Sequence, residues 1–140
     1  MDFRRVCLPA AACLFASAAL ACGGERYIVI GTARAPSTSG FVELTDTSSH
    51  STRVHVHMEQ LHPASSLDPA VRAYVVWFEH ERQPPVRAGV LRYVPDLRVG
   101  ELEATSPYLN FVVKITAEAN DKPATPSAFV VASQQVSAED

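Results

Sequence analysis

The sequence predicts an all-β domain, a sandwich or barrel of about eight short antiparallel strands. Three observations carry this. From Arg26 onward, apolar residues recur with period two rather than 3.6. No segment shows an amphipathic helical stripe. The prolines after Pro9 fall mostly between the apolar runs, where a sheet tolerates them.

The elements follow in order. Tyr27 to Ala33 is rich in β-branched residues and reads as a strand, closed by the loop from Pro36 to Gly40. Phe41 to Leu44 is a second strand, ended by the polar turn from Asp46 to Ser51. Thr52 to Leu61 alternates cleanly: Val54, Val56 and Met58 face one way, and Arg53, His55, His57 and Glu59 the other. His62 to Val71 carries Pro63 and Pro69 and reads as a crossing loop with room for one helical turn. Ala73 to His80 is the most hydrophobic run and is expected to be central. Val86 to Tyr93, Val99 to Thr105, Tyr108 to Ala117 and Ala128 to Ala132 complete the strands. The polar end, 133–140, reads as a flexible tail.

The first 21 residues have a different character. Arg4 and Arg5 form a positive start, and an uncharged, mostly apolar run from Val6 to Leu20 follows. That run is about 15 residues long, which suits a signal peptide and falls short of a membrane-spanning helix. Ala19-Leu20-Ala21 then supplies the small-x-small pattern of signal cleavage. With the next residue, Ala19-Leu20-Ala21-Cys22 resembles a bacterial lipobox, although Ala19 stands where Leu is usual. The expected organisation is therefore a signal peptide at 1–21, a lipidated Cys22 with a tether at 22–26, one β domain at 27–132, and the tail. Gly23 after the cysteine implies an outer-membrane address facing the periplasm. Without acylation the domain would be periplasmic or secreted.

This division settles the cysteines and the charge. Cys7 and Cys13 leave with the signal and Cys22 carries the acyl chains, so the folded domain has no thiol for disulfides, catalysis or metal. The whole chain has a net charge of −3. Losing Arg4, Arg5 and Asp2 leaves 10 basic against 14 acidic residues, a mildly acidic domain for which no nucleic-acid partner is expected.

Tyr74-Val75-Val76-Trp77, then Gly89-Val90-Leu91, then Val113 to Glu118 with Thr116, and finally Pro123 and Pro126-Ser127 form a recurring order. In spacing and order they resemble the extracytoplasmic domain of anti-sigma-K factors of the RskA type, over roughly residues 40–131. The resemblance implies an immunoglobulin-like antiparallel β-sandwich of about seven to eight strands, with Tyr74, Trp77, Gly89, Thr116, Glu118 and Pro126 as its structural motif. Ala119 to Lys122 stands where that family has a glycine pair. The family's cytoplasmic sigma-binding domain and membrane helix have no counterpart, so the fold is expected to carry over and direct anti-sigma activity is not. Read from the residues alone, Tyr74 and Trp77 lie on opposite faces of one strand, one filling the core and the other on the outer face or near an edge. Gly89 within a strand reads as a bulge or a close backbone approach, for instance under the Trp77 ring.

The sharpest chemistry is His55-Val56-His57. Two imidazoles at i and i+2 of a strand share a face, about 7 Å apart along the chain, which would let both reach one zinc or copper ion. His50 and His62 flank the same strand and are the best-placed further ligands. The plainer reading is a polar face alternating with core valines. There is no Gly-x-Ser-x-Gly and no phosphate loop. The sequence thus points to a non-catalytic, cofactor-free exported module, held at the membrane by its lipid anchor and open to an envelope protein partner, with metal binding as the alternative.

Overall fold

The computed structural model describes residues 24–46 and 51–138. Residues 1–21, expected to be a signal peptide, with Cys22, Gly23, 47–50 (His50 among them) and the last two residues, lie outside the described residues. Nine strands are present among those described: β1 (Glu25–Ile30), β2 (Ser39–Asp46), β3 (Thr52–Glu59), β4 (Ala73–Glu79), β5 (Val86–Val90), β6 (Arg92–Val94), β7 (Val99–Ser106), β8 (Asn110–Glu118) and β9 (Val130–Ser137). One helical turn, α1 (Ala64–Leu67), lies in the predicted crossing loop. None of the described helices is long and apolar enough to cross a membrane.

The strands form two antiparallel sheets, β1-β2-β3-β7-β6 and β5-β4-β8-β9. Counted from β2, this is the A-B-E-D sheet over C′-C-F-G of an immunoglobulin-like sandwich, with β1 added at the outer edge. The alternation predicted for β3 holds: Val54, Val56 and Met58 enter the core while His55 and His57 do not. From the other sheet Tyr74, Val76, Phe78, Phe111, Val113 and Ile115 fill the space between. Phe78 and Phe111 meet edge to face at 5.1 Å, the arrangement the ring quadrupoles favour.

Four expectations need correction. The run Val86 to Tyr93 is not one strand. It breaks at Leu91, which is buried and donates its N–H to the Tyr74 carbonyl, so β5 belongs to one sheet and β6 to the other. Gly89 does coincide with a register shift opposite Val76 and Trp77. Its close approach, however, is across the core to Leu102, 3.0 Å from where a Cβ would stand, and not to the Trp77 ring. With φ of 155° it sits where a side chain is strained. The tail is not a tail as far as Ser137: β9 runs through Ser133–Ser137, paired with β8. The tether is shorter than 22–26, because Glu25 and Arg26 already pair with Leu44 and Glu43 of β2.

β1 closes one side of the sandwich. Beyond Ile30 the chain bridges Gly31 to Ala132, and Thr32 bonds the Val131 carbonyl. The other side is less complete. β6 pairs with β7 only from Val99 to Glu101, so the rest of β7 has no strand beyond it among the described residues.

Candidate binding face

The outer face of the five-stranded sheet is built by alternation. Since Val29, Val42, Val54, Val56 and Met58 point inward, Ile28, Phe41, His55 and His57 point out. Register then aligns them. Ile28 lies opposite Phe41, Phe41 opposite His57, His57 opposite Glu101 and Glu101 opposite Arg92, one row across all five strands. A second row aligns Arg26, Glu43, His55 and Glu103.

The rows interlock through rings and charges. Phe41 stacks on His57 with centroids 5.0 Å apart and planes 20° apart. The Arg26 guanidinium lies 4.1 Å from the Phe41 centroid on a cation–π contact and also pairs with Glu43 at 2.7 Å. His55 meets the Phe41 edge at 5.6 Å. Beside this ladder, Ile28 and Ile30 are 66% and 70% exposed on the same face of β1. At the far side His55, Arg92, Glu101 and Glu103 line a groove with Val90 and Leu102 at its base, where the chain leaves for the other sheet.

His57 is the electrostatic centre of this face. Its Nδ1 lies 2.7 Å from Glu101 Oε1 and its Nε2 3.1 Å from Glu59 Oε1. Ionised carboxylates only accept, so satisfying both contacts requires both ring nitrogens to carry protons. Burial of the ring draws its pKa down. The hydrogen bonds to Glu101 and Glu59, with their charges, outweigh that and leave it raised above the usual 6.5. Reciprocally, the hydrogen bond from His57 holds Glu101 below its usual 4.5, with desolvation opposing.

The consequence for stability follows from these directions. The His57 contribution is complete below 6.5 and is lost as pH rises through its raised value. The Glu101 contribution is complete above 4.5 and is lost as pH falls through its lowered value. The pair is therefore worth most between the two, and modestly so, because both groups are partly exposed. NMR titration of His57 is expected to give a midpoint above 6.5 that drops in Glu101→Gln. A midpoint indifferent to both Glu101→Gln and Glu59→Gln would contradict the assignment.

The sequence-derived metal set comes together only in part. His55 and His57 share a face, with ring centroids 6.5 Å apart. His57, however, has both nitrogens engaged by carboxylates. His62 stands past the end of β3, where its carbonyl accepts the Tyr74 hydroxyl. Among the described residues, no group of three or more His, Cys, Asp or Glu side chains is placed to hold a metal ion. Glu59 could be placed beside His57 by alternation alone. Glu101 could not, because it is 44 positions away and only the β3–β7 register brings it there.

The motif residues occupy the other sheet. Tyr74 lies in the core. Trp77 lies on the outer face yet is fully buried, so both aromatic residues are covered. Trp77 Nε1 donates to Thr116 Oγ1 at 2.8 Å, and that hydroxyl donates to Glu118 Oε1 at 2.7 Å. The Ser127 N–H donates to the same carboxylate oxygen at 2.7 Å. Arg87 reaches the Pro123 carbonyl at 2.8 Å. The segment containing Pro123, Pro126 and Ser127 is thus tied back over the sheet. Trp77, Thr116 and Glu118 act here as a buried structural network, and Pro126 immediately precedes its anchor Ser127.

Comparison with family models, curated proteins and solved structures gives no match. The buried hydroxyls of Thr38, Thr52 and Ser106 donate to backbone carbonyls, and that of Thr116 to Glu118, so their protons serve the fold.

Proposed function

We propose that this chain is an exported, lipid-anchored, non-catalytic binding module of the bacterial cell envelope, and that it meets an envelope protein through the outer face of its five-stranded sheet. The observation that carries this is the ordered row from exposed Ile28 through Phe41 and His57 to Arg92, with exposed Ile30 beside it. Water would not select such a row. Exposed β-branched residues beside a rigid aromatic stack offer apolar area at little entropic cost, and the charged groups around them supply orientation. The export signal and Cys22 support the location, and the resemblance to an anti-sigma extracytoplasmic domain suits a sensory-accessory role.

A photo-crosslinker at Ile28 in cells is expected to trap one envelope protein, and Ile30→Asp is expected to abolish the adduct. The same probe at Lys122 should trap nothing. Equal trapping at both positions, or none at Ile28, would overturn the reading.

A second reading, capture of zinc or copper by His55 and His57, rests on their shared face. It requires the carboxylates to release His57. Metal titration of the domain separates the two readings: uptake that survives in the His55→Ala/His57→Ala double variant removes the metal reading.

A further inference from the structure

We infer that one particular end of the sandwich rests on the lipid headgroup surface, through the turns at 80–85 and 107–109. This rests on the lipid-anchor reading of Cys22. Gly24 follows Cys22 by only two positions, a step that spans at most about 7 Å when fully extended. Gly24 is already seated on the domain: a Cβ there would strike the Leu44 carbonyl. Such a short connection matches the depth of the headgroup layer, roughly 5–8 Å on each side of the hydrocarbon. The anchor thus leaves the domain no freedom to stand off from the bilayer, and the end of the sandwich where β1 starts must face it.

Strand directions say what else is at that end. Glu25 lies in register with Leu44, Leu44 with Val54, and Val54 with Ala104. The turn from β7 to β8 begins just beyond Ala104. Tyr27 bonds the Ser137 carbonyl and Ala138 bonds the Leu109 carbonyl, tying the end of β9 to both β1 and that turn. β4 runs antiparallel to β8, so the turn from β4 to β5 lies there too.

The chemistry of this end fits a lipid surface. The β7–β8 turn, 107–109, carries no charge, and in the β4–β5 turn the charges of Glu81 and Arg82 precede an uncharged Gln83-Pro84-Pro85. Leu109 is 42% exposed. Tyr108 stacks on His80 at 4.8 Å, an aromatic pair of the amphipathic kind that favours the headgroup region. The opposite end exposes Leu97 and, at the end of β6, Val94, but there Asp96 and Arg98 stand on either side of Leu97.

Cysteine usage makes the test direct. The acylated mature chain has no free thiol, so a cysteine placed at Leu109 or at Leu97 is the sole labelling site. The full chain, expressed in a bacterial host, is labelled with an environment-sensitive fluorophore and reconstituted in phosphatidylcholine vesicles containing brominated lipid. Leu109→Cys is expected to lose most of its fluorescence and Leu97→Cys none. Pro107→Cys, in the same turn, should follow Leu109→Cys and guards against a local packing defect. Equal or greater quenching at Leu97, with the chain still on the vesicles, overturns the orientation alone. A parent chain that takes the label at Cys22 and does not sediment with vesicles overturns the anchor reading, and the orientation with it.

Discussion

Replacing Trp77 by alanine is expected to lower the unfolding free energy by about 3–5 kcal/mol. That is a large share of the stability of a domain this size. Trp77 is fully buried although it lies on the outer face of its sheet. Truncation would therefore leave a void between the sheet and the segment that returns over it, with Arg87 and Ser127 holding the lid in place so that it cannot simply collapse. It would also remove the indole donor to Thr116. Trp77→Phe keeps most of the volume and loses only the N–H, so it should cost distinctly less. Urea unfolding of the three proteins decides this. A Trp77→Ala midpoint close to that of the parent would mean that the segment does not pack on the indole.

Glu118→Ala is the second large effect. Glu118 is 6% exposed, and its carboxylate accepts from two donors at once, the Thr116 hydroxyl and the Ser127 N–H. Removing it orphans both, at about 1–3 kcal/mol each for a buried donor. Glu118→Gln retains an acceptor oxygen and should recover part of the loss. Because Trp77 and Glu118 share Thr116, the Trp77→Phe/Glu118→Ala double variant is expected to depart from additivity. A Glu118→Ala change within about 0.5 kcal/mol, the range of ordinary surface substitutions, or strict additivity in the double variant would show that the network is not a unit.

Much of the fold could be read from side-chain alternation, because alternation reports directly which face of a strand is dry. β3 shows this best: its core and outer positions follow residue by residue. Where alternation is silent, the reading failed. In β9 the polar Ser133, Gln134 and Gln135 pair through their backbones with Lys114, Val113 and Val112, and backbone pairing leaves no mark on composition. The break at Leu91 is hidden because both halves of the run are strand and only their sheets differ. Trp77 was expected to be either core or outer, yet it is outer and buried, since a loop whose path no periodicity reveals covers it. The candidate face divides in the same way. His55 and His57 were visible as a pair, whereas Glu101, Phe41 and Arg92 join them only through strand register.

The incomplete pairing of β7 has a consequence of its own. From Leu102 to Ser106 its outer side faces no described strand, so an extended segment of another molecule could add there and start an unwanted assembly. Glu103 occupies the middle of that stretch and is exposed, with Arg53 exposed on the neighbouring strand. An incoming apolar strand would have to bury or displace that charge. Glu103, which rims the groove beside His55, thus also acts as a guard against self-association.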